Sequence, residues 1–252
     1  MSGLFQQFKF DFQREILRNK PFLFFTLLMP AGFYILFTKV MVEDQQQGVQ
    51  FAAGYMCNMI VYSLVISAFF GLAALLQRDR HSGYVARLRQ TPQQLGPYYL
   101  SVALCFILLT ILSIGLMIAL AIGVNHVNLS FSQGLSLVFI SLFGQLPLLI
   151  VSVLISRVNR EETLSVLSNL LTFPVAIVSG LWWPLTTLPH WLQEIGRLMP
   201  TYRLNQLLND VVVSRSVSGY DWIIIIGWIG GATFFVAILN FTGRRWQSSV
   251  TQ

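Results

Sequence analysis

Ser179-Gly180-Leu181-Trp182-Trp183-Pro184-Leu185 ends a long apolar run at 163–181 and opens into Leu188-Pro189-His190-Trp191-Leu192, then Met199-Pro200-Thr201-Tyr202. A Gly and a Pro, both helix-stopping, stand beside paired Trp where apolar sequence gives way to polar. Indole rings gather at the headgroup level of a bilayer, where an apolar body and a polar N–H are both satisfied. The pattern predicts a helix leaving the membrane and continuing, over 185–209, as aromatic-rich helical structure at its outer surface. In a soluble protein the same residues would form a Trp-rich turn on a core helix.

Composition argues against the soluble reading. Hydrophobic residues make up 55% of the 252 residues and charged residues only 10%, against roughly 25% charged in soluble domains. Working outward from 179–185, apolar segments run over 21–42, 51–76, 97–124, 133–155, 163–181 and 222–243. Each reaches the roughly 20 residues that cross a bilayer. The fold class is therefore all-α: a polytopic integral membrane protein with six transmembrane helices. The chain reads as a single unit over 1–252. It divides into an interfacial helix at 1–20, spans one to five at 21–181, an extracellular helical segment at 182–221 and span six at 222–243. The first twenty residues lack a signal peptide's apolar core. They place Leu4, Phe5, Phe8, Phe12 and Ile16 at helical spacing, as an amphipathic helix at a membrane interface does. Pro30, Pro147 and Pro174 fall within spans; Pro174, close to Ser179-Gly180, is expected to mark a bend.

The net charge of +6 is not a nucleic-acid footprint, because the basic residues are split among short segments between spans. Lys9, Arg14, Arg18, Lys20, Arg78, Arg80, Arg87, Arg89, Arg157, Arg160, Arg244 and Arg245 fall on one side of the alternating topology; Lys39, Arg197, Arg203 and Arg215 fall on the other. The positive-inside bias then places both termini in the cytoplasm.

A second stretch, Gln77 through Pro92, faces the cytoplasm on this topology. Tyr84, Val85 and Leu88 can share one face of a short helix that Thr91-Pro92 ends. An apolar knob flanked by Arg suits docking into a groove on another protein. The stretch resembles the first coupling helix of ABC-2 type transporter permeases: Gly83, Leu88, Thr91 and Pro92 match in order and spacing. Arg78-Asp79-Arg80 stands where the family has an acidic-basic-acidic group, and Tyr84 stands where Thr is common. Ser179-Gly180 through Pro184, Leu188-Pro189, Trp191-Leu192 and Pro200-Thr201-Tyr202 resemble the family's second signature, after the fifth span.

The resemblance covers essentially the whole chain and implies a permease subunit of an ABC exporter in a prokaryotic plasma membrane. It implies two copies of a separate ATP-binding subunit and a second permease chain, here a homodimer. ATP-coupling residues would be Arg78, Asp79, Arg80, Gly83, Tyr84, Leu88, Thr91 and Pro92. Spans two and five would line the translocation path, with Asn58, Tyr62, Ser63, Asn169, Thr172 and Phe173 as candidates. Asn58, Ser63 and Asn169 would serve equally as hydrogen-bonding glue between helices. Ser179, Gly180, Trp182, Trp183 and Pro184 would form an extracellular gate. Cargo is expected to be a drug, an antimicrobial peptide or another amphipathic molecule, with Na⁺ and lipid-linked cargo as alternatives. A non-transporting sensor or immunity component is the competing class, and an intramembrane enzyme is a third.

The chain has no P-loop, since Lys9, Lys20 and Lys39 follow Phe8, Asn19 and Thr38 rather than Gly. ATP and Mg²⁺ are therefore expected in the partner subunit, with no cofactor, metal or catalytic residue in this chain. His81, His126 and His190 stand in three separate connections, and no H-E-x-x-H occurs. Cys57 and Cys105 lie within apolar runs and read as small buried hydrophobes. Glu161 and Glu162 suit the positive N-terminal end of the fifth helix.

The topology has a direct check. A membrane-impermeant thiol reagent is expected to label Thr187→Cys and Ser216→Cys in intact cells, and Ser82→Cys only after permeabilisation. The reverse pattern would invert the orientation.

Overall fold

An apolar helix satisfies its own backbone hydrogen bonds and so can sit in hydrocarbon. In the computed structural model, which describes residues 2–40, 45–90 and 95–249, six helices are long and apolar enough to cross a membrane. They are Lys20–Val40, Gly48–His81, Gly96–Asn125, Phe131–Ile155, Glu161–Val178 and Gly219–Leu239, here spans one to six. Every regular element among the described residues is helical. The spans form a bundle with two ends. The basic end carries the turns around 18–19, 82–83 and 156–160; the opposite end carries 126–130 and 179–218.

Span two is the axis of the bundle. Its apolar window is 78% buried, against 6% for span six. Met56, Met59, Ile60, Tyr62 and Leu64 sit in the main core, with Ile114 and Met117 of span three against them. Span two also continues as helix to His81, so Arg78, Asp79 and Arg80 ride on it rather than on a loop. The reason is local. Ala73 through Arg80 contains no Gly or Pro, and Ala, Leu, Gln and Arg all favour helix. The helix stops at Gly83, whose φ of +69° is the left-handed cap conformation that glycine accepts without strain.

Irregular winding shapes the bundle, beginning with a π turn over Phe24–Leu28 of span one. Span two is wound as a π turn over Ser67–Leu72. Span four breaks at Gln145, and the helix restarts at Leu146 with Pro147 in its first turn, where a missing N–H costs nothing. The bend expected at Pro174 has no such mark: span five runs through Pro174 as one helix.

The segment after span five differs from the expected surface layer. His190–Leu198 does lie at the surface, with Trp191, Ile195 and Leu198 exposed. Pro200–Val212 instead inserts among spans two, four and six and buries Thr201, Leu204, Leu207 and Leu208. These four recur at helical spacing and form an apolar stripe that only a core can satisfy. Leu204 fits because Gly144 opposes it: a Cβ there would stand 2.3 Å from Leu204 Cδ1.

At the basic end the N-terminal helix, Ser2–Phe12, docks along span three. Phe8, Phe12 and Ile16 join a second apolar cluster with Phe22, Leu75, Tyr98 and Val102. Phe5 and Phe10 point away and are exposed, so the helix has two apolar faces rather than one stripe.

Gly196 tests the seating of the surface helix. A Cβ there would lie 2.2 Å from the Val178 carbonyl oxygen, which is backbone and cannot swing aside. Gly196→Ala is expected to cost about 1–3 kcal/mol, as overpacking does, and to lower the melting temperature in detergent. Gly230→Ala meets nothing within 4 Å and should melt at or above the unmodified protein.

Candidate functional site

The short helix Tyr84–Arg89 follows Gly83 and folds back against the basic end. Its apolar residues Tyr84, Val85 and Leu88 pack inward onto the second cluster. The apolar knob expected from sequence is thus partly covered: all three side chains are half-buried, with Tyr84 against Tyr98 of span three and Gln7 of the N-terminal helix. The face left outward holds the exposed Ala86, Arg87 and Gln90, beside His81 and Ser82. Thr91 and Pro92 lie outside the described residues.

A buried charge cluster mounts this helix on span two. Asp79 is 1% exposed and accepts from Arg14 Nη2 at 2.7 Å and from Tyr98 Oη at 2.8 Å. Arg14 also pairs with Glu15, and Glu15 pairs with Arg78. Asp11, equally buried, accepts from Ser101 Oγ at 2.6 Å and from Gln7 Nε2 at 2.8 Å. The same Gln7 amide reaches Tyr84 Oη at 3.0 Å, and the Arg14 guanidinium stacks 5.1 Å from the Tyr84 ring centroid. Burial alone would lower the pKa of Arg14. The hydrogen bond and charge of Asp79, joined by Glu15 and Asp11, outweigh it and hold the value above the usual arginine range. Arg80 stands apart and donates to the Val158 carbonyl at 2.8 Å. Gln77 donates to Val158 and Arg160 at 2.9 and 3.0 Å, tying span two to the turn that starts span five.

Of the six path candidates, the structure brings four together. Tyr62, Asn169, Thr172 and Phe173 line a cavity of about 330 Å³ between spans one, two and five. Thr172 Oγ1 is buried with no hydrogen-bond partner among the described residues. Trp182 closes one end of this wall, its ring 5.5 Å from Tyr62 and 5.7 Å from Phe173. Ser63 does not line this cavity: it is 1% exposed and hydrogen-bonds Ser113 of span three at 2.6 Å. Asn58 is also turned elsewhere, accepting from Asn205 Nδ2 at 2.8 Å and donating to the Gly180 carbonyl at 3.4 Å. Both act as interhelical links.

The gate candidates divide likewise. Ser179 is buried and hydrogen-bonds Thr201. Gly180 has φ +70°, with the Leu185 N–H nitrogen 3.2 Å from where a Cβ would stand. Trp182 is partly buried, whereas Trp183 and Pro184 are exposed.

Comparison with known proteins fits this layout. The family model described as ABC-2 type transporter matches residues 6–213. The chain belongs to the ABC-2 type transporter family. A relative in Bacillus subtilis (strain 168), named "Putative transport permease YvfS", is 29% identical over 233 residues, covering 92% of this chain and 94% of its own length. Membership implies an ABC transporter system with an ATP-binding partner. The matched region of this ABC-2 permease includes the short helix at 84–89, the cavity wall and the inserted helix at 200–212.

Sequence reasoning missed Asp11, Arg14, Glu15, Tyr98 and Ser101 as parts of this buried polar cluster. A signal was present: Asp11 and Glu15 are one helical turn apart in a chain with only 10 acidic residues. Removing Arg14 would strand buried carboxylates without a counter-charge. Arg14→Gln is expected to cost about 3 kcal/mol, and Arg14→Gln with Asp79→Asn should recover most of it. Thermal unfolding of the four proteins of this double-mutant cycle checks the coupling.

Proposed function

We propose that this chain is the permease subunit of an ATP-driven exporter in a prokaryotic plasma membrane. It works as a homodimer with two copies of a separate ATP-binding subunit, both termini being cytoplasmic. ATP and Mg²⁺ are bound and used in that partner; this chain supplies the path and the mechanical link.

One observation carries the reading. The basic-end helix Tyr84–Arg89, the charge cluster and the cavity wall are joined by one continuous helix, Gly48–His81. A push on the exposed face around Arg87 cannot be absorbed locally, because Tyr84 and Asp79 are bonded into the same cluster. The load passes along span two to the π turn at Ser67–Leu72. There Ser168 Oγ of span five donates to the Phe69 carbonyl at 2.8 Å, so the two spans move together. Interrupted helical winding is a place where such a helix can change register at low cost. Closure of the ATP-binding subunits would thus widen or narrow the cavity flanked by Tyr62, Thr172 and Phe173, giving alternating access. Span five also exposes Val166, Leu170 and Phe173, a face suited to the second permease across the path.

Cargo recognition follows from the lining. Aromatic rings with one unpaired hydroxyl and the carboxamides of Asn19 and Asn169 suit an amphipathic molecule such as a drug or antimicrobial peptide.

Co-expression with its ATP-binding partner and reconstitution into proteoliposomes tests the proposal, with ATPase activity measured against amphipathic cations and cationic peptides. Arg87→Glu is expected to abolish cargo stimulation while membrane insertion persists; normal stimulation in that variant would sink the coupling surface. Phe173→Ala removes an aromatic contact and should raise the half-stimulating cargo concentration about tenfold, with basal hydrolysis within about twofold. No stimulation by any amphipathic cargo, together with no transport, would favour a non-transporting sensor.

A further inference from the structure

The largest cavity described in the chain lies away from the proposed path. It occupies about 790 Å³ between the basic-end halves of spans two, three and four. Its origin is the break at Gln145. Spans three and four pack along Phe131–Gly144 and are tied at mid-height by Thr110 Oγ1 donating to Gln145 Oε1 at 3.2 Å. Beyond the break the Leu146–Ile155 segment packs on spans two and six instead, and a gap opens beside span three.

The walls of this gap are almost wholly apolar, and several are open to the bundle's outside. Tyr99, Ile107, Phe139 and Phe143 line it while remaining exposed, so the cavity opens sideways at membrane height. Its charged lining is all of one sign. Arg80 and Arg157 stand where it meets the basic end, and no acidic residue lines it among the described residues. Arg80 is fixed there by its bond to the Val158 carbonyl, and a guanidinium so held keeps donors for an anion.

We propose that this cavity is a binding site for an anionic phospholipid of the leaflet at the basic end. One acyl chain fills the apolar gap from the side, and the phosphate sits between Arg80 and Arg157. Basic mouths on apolar clefts between membrane helices recognise anionic headgroups in this way. A zwitterionic lipid satisfies the apolar wall but brings its own cation to the arginines. The bound lipid would also touch Val85, and so brace the short helix Tyr84–Arg89 against span three. The proposal rests on the membrane-spanning fold and not on the exporter reading, because its test measures lipid rather than transport.

Native mass spectrometry of the purified chain, titrated with phosphatidylglycerol and with phosphatidylcholine, reads the site directly. Phosphatidylglycerol is expected to be held about tenfold more tightly. Arg157→Gln should bring the two lipids near parity, and Ala103→Trp, which fills the gap, should displace both. Equal binding of the two lipids to the unmodified protein, or binding unchanged in both variants, would overturn the site. A photo-crosslinking amino acid at position 139, activated in native membranes, provides a measurement that does not depend on either variant folding. A phospholipid adduct supports the site; an adduct with a second copy of this chain or another protein refutes it.

Discussion

A polar side chain left unmatched in hydrocarbon is costly, and span two carries polar groups deep into the bundle at both ends. Asp79 at the basic end requires a cation and a donor, and it draws in Arg14 and Tyr98. Asn58 toward the opposite end requires amide partners, and it draws in Asn205 and the Gly180 carbonyl. The rest of the architecture is arranged to supply these partners. The N-terminal helix folds back along span three, and the π turn Gln13–Leu17 that continues it carries Arg14 to Asp79. The segment after span five returns into the bundle as Pro200–Val212 because it carries Asn205, alongside an apolar stripe that must also be buried.

This division explains which parts of the molecule are firm and which are free to change. Span two is bonded to neighbours at its ends and packed along its middle, so its position reports on both membrane faces at once. Spans five and six are mostly uncovered within the chain, and their exposed apolar residues face lipid or another protein. The cavity carrying Thr172 lies between the firm span and an uncovered one. A small displacement of span two therefore changes its shape without breaking the main core.

The basic end has a different character from the one its apolar residues suggest in isolation. Tyr84, Val85 and Leu88 would make a docking surface if the short helix stood free. Because they are half-buried against the chain's own second cluster, the most exposed face is polar and cationic, with Arg87 at its centre. The reach of Arg78 and Arg14 into one carboxylate, Glu15, makes the N-terminal helix part of the same mounting.

Much was legible without coordinates. Six apolar runs and the paired Trp at 182–183 determine an all-helical membrane protein, because length and hydropathy act over a few residues at a time; the Gly83…Pro92 pattern and the stretch after span five carry the resemblance to the ABC-2 family. The stop at Ser179-Gly180 is likewise local; the continuation of span two to His81 was not read from the sequence. Tertiary structure alone decided which side of each helix is used. Asn58, Ser63 and Asn169 look alike in sequence, as polar residues in apolar spans. Only packing shows that the first two bond to Asn205 and Ser113 while Asn169 lines a cavity. The same holds for Leu88, Leu204 and Arg14, whose partners lie on distant segments. A residue's type states what it needs; which neighbour meets that need is set by long-range contact, which no local pattern encodes.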